Sequence, residues 1–344
     1  MRIAQVAPLF ESVPPKGYGG TERVVSYLTE TLVAMGHEVT LYASGDSVTD
    51  ATLVPVVERS IRPGRGAPDW LMWHTIMLDR VFEASERFDL IHFHTDVLHY
   101  PLARRCATPT LTTMHGRLDL PDLAALHRHF TDQPLVSISE SQQRQMPDAN
   151  WVATVHHGLP SEQYLLVERG GDYFAFVGRM SPEKRVDRAI EIALECRTPL
   201  RIAAKVDAAD EAYFEREVRH LLEHPLIEFV GEIGEAEKRQ LLGHARALLF
   251  PVDWPEPFGL VMIESMACGT PVIAYDCGSV VEVLDDGVSG FIVHDQEEAI
   301  TAARSVSRID RLACRRVFEQ RFTAERMAGR YVEVYRRLAG QRAT

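Results

Sequence analysis

The sequence predicts an α/β protein of two domains, each built on a parallel β-sheet. At 344 residues the chain is too long for a domain with a single hydrophobic core, and its length suits two domains of about 150–180 residues each. Short apolar runs alternate with helical patterns, which is typical of parallel sheets with crossover helices. The alternation restarts after residues 160–171, a stretch with proline, glutamate and paired glycines but no clear periodicity. We therefore predict the linker there, between two Rossmann-like halves.

In the first half, a series of apolar runs predicts strands separated by helices. The helix after the first strand begins near Thr21, carries an apolar stripe that includes Val24 and Leu28, and ends at Gly36, a residue type that commonly follows a helix. The predicted strands are Ile3–Ala7, Val39–Ala43, Leu90–Phe93, Thr110–Met114, Leu135–Ile138 and Val152–Val155.

The second half repeats this order of strands and helices. One helix is predicted over Pro182–Cys196 and another over Leu260–Cys268, where Gly269 and Pro271 end it. A last helix, Ala324–Arg337, has apolar residues spaced along one face. The predicted strands are Tyr173–Val177, Leu200–Ala203, Ile227–Val230, Ala247–Phe250 and Val272–Tyr275.

The composition excludes several classes of protein. A formal net charge of −12 argues against a general affinity for nucleic acid or anionic lipid. The five cysteines are odd in number and none forms a C-x2-C pair, so we expect free thiols in a reducing compartment. The N-terminus does not resemble a signal peptide, and no window approaches the roughly 18 apolar residues of a membrane span. We expect a cytoplasmic protein without integral membrane association.

Two glutamates eight positions apart, Glu256 and Glu264, mark the first candidate site. Glu256 lies in a predicted loop, and Glu264 lies about two turns along the helix that follows. Between them, Phe258, Gly259 and Leu260 bring free backbone N–H groups to the start of that helix, where phosphate groups commonly bind. Glu264 follows three apolar residues, so a solvated position suits it poorly.

A second motif, Gly178–Lys184, follows the strand Tyr173–Val177. Ser181 and Pro182 suit the N-cap and first position of a helix, which places Lys184 in the first turn, where the helix dipole is positive. Arg179 adds a second cation. A bound diphosphate would balance both charges. The alternative from these residues alone is a surface helix whose cations are screened by its own acids, Glu183 and Asp187.

The two motifs resemble the E-x7-E and G-R-x-x-x-E-K elements of retaining glycosyltransferases of family 4, a large bacterial and plant family with the GT-B fold. The resemblance implies Rossmann-like domains facing across a cleft. Residues 1–162 would bind the acceptor, residues 163–323 would bind the donor, and residues 324–344 would form a helix packing back on the first domain.

The resemblance also implies an activity. A hexose would pass from a nucleotide-diphosphate sugar, UDP-glucose on frequency in the family, to a small soluble acceptor or soluble glycan, with retention of configuration. No metal or other cofactor is expected, because Arg179, Lys184 and helix N-termini would stabilise the leaving diphosphate during same-face attack.

Each residue of the donor half then has an expected contact. Arg179 and Lys184 would bind the diphosphate together with the backbone of Gly259 and Leu260, and Glu264 would bind the ribose hydroxyls. The transferred sugar would contact Glu256, Pro257, Phe258 and Gly259, and the nucleobase would lie against Glu232 and Ile233.

The N-terminal half contributes a glycine-rich loop, Gly17–Glu22. It lacks the spacing of a dinucleotide-binding motif, since ten residues separate it from the preceding strand, and this argues against a nicotinamide dehydrogenase. A surface loop without a ligand is the alternative. The resemblance implies that Gly19 and Gly20 approach the diphosphate and that Tyr18 and Glu22 line the acceptor side.

Histidines follow two of the predicted strands. A lone histidine such as His115 is more often structural, but the resemblance implies a contact with the donor sugar. His92 and His94 alternate along one strand, so a metal pair completed by Asp96 is an alternative to a strand-end acceptor site that contains His94 and Asp119.

Two other functions remain open from the sequence. One is a GT-B nucleotide-sugar epimerase, which needs no acceptor, and the other is a non-catalytic nucleotide-sugar sensor or scaffold. The oligomeric state also stays open, a homodimer included. Lys205, at the end of a predicted strand, is either a third diphosphate contact or a solvated lysine. Three other polar residues near predicted strand ends have no assigned role: Ser139, His156 and His157.

Overall fold

A computed structural model describes residues 1–62 and 69–340. The chain divides into two compact units. The first contains residues 1–158 together with the segment that begins at Ala324, and the second contains residues 159–323. Residues 341–344, the end of the predicted third segment, lie outside the described residues.

The first unit is built on a seven-stranded parallel sheet. Its strand order is β3-β2-β1-β4-β5-β6-β7, so the order reverses direction between β1 and β4. The strands are β1 Arg2–Val6, β2 Glu38–Ser44, β3 Thr52–Val57, β4 Leu90–Phe93, β5 Thr110–Thr113, β6 Leu135–Ser137 and β7 Trp151–Thr154.

Helices connect these strands, and the first of them shows how the sequence builds one. The apolar stripe of the helix Gly20–Ala34 is buried at Val24, Val25 and Leu28, and the helix ends just before Gly36, which has a φ of 83°. The helices of this unit are α1 Gly20–Ala34, α2 Trp70–Glu83, α3 Tyr100–Ala103, α4 Pro121–His129, α5 Glu140–Arg144 and the last helix of the chain, α13 Ala324–Gly340.

The second unit repeats the arrangement on a six-stranded parallel sheet. Its order is β10-β9-β8-β11-β12-β13, with the reversal between β8 and β11. Its apolar core lies between the sheet and helices that include Val186–Glu195 and Gln296–Ser305. The strands are β8 Phe174–Arg179, β9 Leu200–Lys205, β10 Ile227–Gly231, β11 Ala247–Phe250, β12 Val272–Tyr275 and β13 Gly290–Val293. The helices are α6 Val186–Glu195, α7 Glu211–Tyr213, α8 Glu235–Gly243, α9 Leu260–Ala267, α10 Val280–Val283, α11 Gln296–Ser305 and α12 Arg311–Arg321.

The two Rossmann-like sheets confirm the predicted fold class, and the last helix belongs to the first unit as expected. The division falls after Gly158, whereas the predicted boundary was residue 162. The difference arises because Leu159 donates its N–H to the carbonyl of Phe322, and Arg315 holds the carbonyls of Ser161 and Tyr164. These contacts tie residues 159–164 to the second unit.

The structure corrects the predicted helix Pro182–Cys196. Residues Pro182–Lys184 form a separate short 3-10 turn, Arg185 has a φ of 52°, and α6 begins at Val186. Ser181 makes no side-chain cap hydrogen bond. Lys184 is therefore not in the first turn of α6, and the predicted conflict with that helix dipole does not arise.

Candidate active site

The predicted site residues follow the strands at which each sheet reverses its order. Ligands of such sheets bind outside the carboxyl ends of these strands. In the first unit His94 follows β4, next to β1. In the second unit Arg179 is the last residue of β8, and the loop that contains Glu256 follows β11. The fold thus places the candidates at the positions where sheets of this kind bind ligands.

Lys184 and Glu256 form an ion pair in the second unit. Both are largely buried, and Glu256 is 8% exposed. The indole Nε1 of Trp254 donates to Glu256 Oε2 at 3.0 Å, and the Lys184 Nζ lies 5.2 Å from the centroid of the Trp254 ring. The expected diphosphate contact and the expected sugar contact therefore lie side by side.

The backbone around Glu256 is fixed by the loop before α10. Ser279 donates its N–H to the carbonyl of Glu256 at 3.0 Å and its hydroxyl to the carbonyl of Phe258 at 2.9 Å. A Cβ on Gly278 would lie 2.3 Å from the Glu256 nitrogen, so only glycine permits this approach. Gly259 has a φ of 77° and turns the chain into α9, whose first backbone N–H groups have no partner within the helix.

Arg179 lies among carboxylates at the end of β8. It forms an ion pair with Glu183, and its Nε lies 3.3 Å from Asp210. Lys205, at the end of the neighbouring strand β9, forms an ion pair with Asp207 at 2.5 Å. A phosphate group that binds here would have to replace these acids as the partners of Arg179 and Lys205.

Glu264 is paired with Lys238, a residue that the sequence analysis missed. The Lys238 Nζ lies 2.6 Å from Glu264 Oε1 and 2.5 Å from Glu235 Oε1. Glu264 is only 2% exposed, so an unpaired charge there would be costly. Lys238 belongs to α8, which follows Glu232 and Ile233, so the expected nucleobase and ribose contacts lie near one helix start.

In the first unit, His115 and His94 are in direct contact. His115 Nε2 lies 2.8 Å from His94 Nδ1, and His94 Nε2 lies 2.8 Å from Gln5 Oε1. Burial lowers the pKa of His115 to about 3, and burial together with the neighbouring His92 lowers the pKa of His94 well below its usual value. Both imidazoles are therefore neutral at pH 7. His157 stacks on His115 with ring centroids 5.3 Å apart.

Gln142 holds the backbone on both sides of His115, and it was not predicted. Its amide nitrogen donates to the carbonyls of Met114 at 3.0 Å and Gly116 at 2.9 Å. Ser139, which had no assigned role, accepts a hydrogen bond from the Gln142 N–H and caps α5. A polar residue in a helix directly after a strand was the available signal for this role.

Other predicted residues of the first unit lie around the start of α1 and in the segment between β5 and α4. Gly19 and Gly20 begin α1, and a Cβ on Gly19 would lie 2.8 Å from the Pro15 side chain. Tyr18 is exposed, whereas Glu22 is buried and its pKa is raised from 4.5 to about 7, mainly by burial. Asp119 is exposed and forms an ion pair with its neighbour Arg117.

The alternative of a metal site at His92 and His94 finds no support in the contacts of these residues. His92 Nδ1 lies 2.7 Å from the Tyr335 hydroxyl, and His92 Nε2 lies 2.7 Å from the Thr113 hydroxyl. With the contacts of His94 given above, all four ring nitrogens are engaged within the protein. In residues 1–62 and 69–340, no three His, Cys, Asp or Glu residues are placed to hold a metal ion together.

Comparison with solved structures identifies the fold. The fold matches that of HepE from Anabaena in complex with UDP-glucose, with a TM-score of 0.74 over 97% of this chain and 99% of that chain, at 18% sequence identity. Two Rossmann-like units with this topology, and a last helix that belongs to the first unit, are the architecture of GT-B glycosyltransferases.

The chain belongs to glycosyltransferase family 4. The model of that family matches residues 18–203, and the model described as glycosyl transferases group 1 matches residues 163–313. Glycogen synthase of Mycobacterium tuberculosis is 25% identical over 363 aligned residues, which cover 90% of this chain and 86% of that protein. Phosphatidyl-myo-inositol mannosyltransferase of Mycobacterium leprae is 26% identical and covers 88% and 86%. The protein is therefore a glycosyltransferase enzyme.

None of the helices in the two described ranges is long and apolar enough to cross a membrane.

Proposed function

We propose that the protein transfers a hexose from UDP-glucose to a soluble acceptor, with retention of configuration and without a metal ion. The second unit would bind the nucleotide diphosphate of the donor, and the first unit would bind the acceptor. The observation that carries the donor side is the Lys184–Glu256 ion pair, because it places a cation suited to a diphosphate beside a carboxylate suited to sugar hydroxyls. The fold match to a complex with UDP-glucose supports the choice of donor.

In the proposed complex the diphosphate replaces carboxylates as the partner of the cations. Arg179 now faces Glu183 and Asp210, and Lys184 faces Glu256. Phosphate oxygens would take over these contacts and accept hydrogen bonds from the N-terminus of α9. Two side-chain cations and a helix N-terminus then neutralise the leaving group in place of a divalent cation.

Retention follows from attack on the same face of the sugar. Glu256 already accepts from Lys184 and Trp254, so its role is to bind hydroxyls and not to act as a nucleophile. The bond from the anomeric carbon to the phosphate oxygen breaks, and the acceptor oxygen bonds to that carbon from the same side. The proton of the acceptor passes to the departing phosphate oxygen.

The acceptor is proposed to be a small molecule or a soluble glycan. The two relatives differ on this point, since the name of one refers to glycogen and that of the other to phosphatidyl-myo-inositol. The net charge of −12 disfavours attraction to anionic lipid, and this supports a soluble acceptor.

Thermal unfolding with UDP, GDP, ADP and dTDP, first with chelator and then with magnesium, tests the donor site. A ligand at 100 times its dissociation constant adds about 2.7 kcal/mol of stability. We expect UDP to raise the midpoint without magnesium, and Arg179→Ala to remove the response. Arg201→Ala is the matched control, because Arg201 forms an exposed ion pair with Glu228 on the same sheet. A response that requires magnesium would contradict the metal-free proposal.

A second experiment separates the sugar contact from the phosphate contact. Glu256→Gln removes the charge that competes for Lys184, so we expect UDP to bind as tightly as in the wild type or more tightly. The additional affinity of UDP-glucose over UDP should fall, because the sugar hydroxyls lose an ionised acceptor. Calorimetric titration of both ligands measures this difference. An unchanged difference would place the sugar away from Glu256.

A further inference from the structure

A continuous series of buried polar groups connects His115 to the last helix of the chain. Gln5 on β1, His94 after β4 and Tyr335 on α13 are at most 2% exposed. The amide of Gln5 presents its oxygen to His94 at 2.8 Å and its nitrogen to the Tyr335 hydroxyl at 3.1 Å. His115, at the other end, contacts His94 at 2.8 Å.

The amide of Gln5 decides the direction of every hydrogen bond in this series. A neutral imidazole has one donor and one acceptor nitrogen, and an amide oxygen can only accept. His94 must therefore carry its hydrogen on Nε2, which faces Gln5, and must accept on Nδ1. His115 then donates from Nε2 to His94, and its Nδ1 carries no hydrogen.

The hydrogen bonds from Gln5 through Tyr335 to His92 are consistent with this assignment of donors and acceptors. The Gln5 nitrogen donates to the Tyr335 hydroxyl, and that hydroxyl donates to His92 Nδ1 at 2.7 Å. His92 then donates from Nε2 to the hydroxyl of Thr113 at 2.7 Å. Each of these groups uses its donor once, so the tautomers of the histidines are coupled to one another.

In this arrangement one ring nitrogen of His115 makes no hydrogen bond. Its Nδ1 is buried and has no hydrogen-bond partner. A buried acceptor without a partner costs stability, and a ligand that donates a hydrogen bond would recover it. Gln142 fixes the backbone on either side of His115, and the contact of Nε2 with His94 at 2.8 Å orients the ring.

We propose that Gln5, His94 and Tyr335 are positioning residues that hold His115 in the tautomer whose Nδ1 accepts a hydrogen bond from a ligand hydroxyl. The site therefore selects a group that donates, such as a sugar hydroxyl, over a carboxylate, which only accepts. The choice of a sugar rests on the proposed function, whereas the tautomer does not.

Long-range proton–nitrogen NMR correlation on full-length protein with labelled histidine tests the tautomer without any ligand. His115→Asn identifies the His115 signals. We expect His115 neutral at pH 7 with its hydrogen on Nε2. A hydrogen on Nδ1 would mean that the amide of Gln5 is turned the other way, and it would overturn the proposal, as would a charged ring.

Two tyrosine variants test the positioning role. Tyr335→Phe removes the partner of the Gln5 nitrogen, so we expect both His115 tautomers to be populated. Tyr331→Phe is the matched control, because Tyr331 is equally buried on the same helix but contacts Thr113 at 2.9 Å, beyond the other end of the series. We expect its His115 spectrum to match the wild type. Identical His115 spectra in both variants would contradict a role for Tyr335.

Dissociation constants of monodeoxyfluoro analogues of UDP-glucose test the ligand contact, since fluorine cannot donate a hydrogen bond. At one sugar position we expect a roughly 2- to 12-fold weaker affinity, the range of one neutral hydrogen bond, and His115→Ala should remove that difference. The same pattern of affinities in wild type and His115→Ala would refute the contact. Failure of all UDP ligands to bind would instead contradict the proposed function and leave the tautomer result standing.

Discussion

Replacing Lys238 by methionine should destabilise the second unit strongly, because it leaves the buried Glu264 without its cation. The side chains of Lys238 and Glu264 are 15% and 3% exposed, and their charged atoms are 2.6 Å apart. Removing one partner of such a buried pair costs about 3–5 kcal/mol. Lys238 and its second partner, Glu235, are partly exposed, so we expect the free energy of unfolding to fall by about 3 kcal/mol, the lower end of this range.

Hydrogen exchange followed by mass spectrometry of α9 peptides measures this loss without assuming that the two units unfold together. A loss of about 3 kcal/mol accelerates exchange on the order of 100-fold where opening is the limiting equilibrium. Arg201→Met is the matched control, since the Arg201–Glu228 pair is 45% and 58% exposed and such pairs contribute about 0–1 kcal/mol.

A comparison of the two variants can refute this reasoning. Exchange in Lys238→Met within about 0.5 kcal/mol of that in Arg201→Met would mean that water or another group balances Glu264. Adding Glu264→Gln to Lys238→Met removes the uncompensated charge, so we expect part of the protection to return. No recovery in the double variant would assign the loss to packing of the lysine side chain.

Three further changes have effects that the structure defines. Gly278→Ala should cost about 1–3 kcal/mol more than Gly287→Ala and weaken UDP-glucose binding, because both glycines have positive φ but only a Cβ on Gly278 clashes with Glu256. The unfolding midpoint and a binding titration of each variant check this. Burial raises the pKa of Glu22 in the folded protein from 4.5 to about 7, so the stability of the wild type falls as the pH rises between these values. Glu22→Gln should therefore stabilise the protein by about 3 kcal/mol at pH 8 and leave its stability unchanged at pH 4. Denaturant unfolding at both pH values measures this difference. Arg311→Met should lower the free energy of unfolding by about 2–5 kcal/mol, because the guanidinium satisfies the carbonyls of residues 167, 243 and 245, and a denaturant titration checks it.

The strands inside both sheets could be predicted from the sequence, whereas an edge strand of each sheet could not. β3 and β13 were missed. β3 contains Pro55, which cannot donate to a ladder and is tolerated at a sheet edge, the position that β3 occupies. β13 begins at Gly290, where a Cβ would lie 2.0 Å from the carbonyl oxygen of Val272. The edge position permits the proline of β3, and the close approach of the neighbouring strand requires the glycine of β13.

The start of α6 was predicted incorrectly because a local signal was overridden by a contact distant in sequence. Ser181 followed by Pro182 is a good helix start, but the backbone at Arg185 turns into the left-handed region before α6 begins. Arg185 is held there by ion pairs with Asp187 and with Asp253 at 2.8 Å. Asp253 follows β11 and cannot be related to Arg185 from the sequence alone.

The spacing of Glu256 and Glu264 predicted the proposed donor site, but the cations that pair with these acids depend on the fold. Lys184 is 72 residues from Glu256, and Lys238 is 26 residues from Glu264. Each acid is brought to its lysine by the parallel sheet, which places the segments after β8, β10 and β11 on one edge. Lys184 is paired with Glu256 in the structure, so under the proposed function a diphosphate that binds Lys184 would displace this carboxylate. Displacement at Lys184 would free Glu256 at the moment when sugar hydroxyls need an acceptor, and phosphate and sugar recognition would then be coupled through one ion pair.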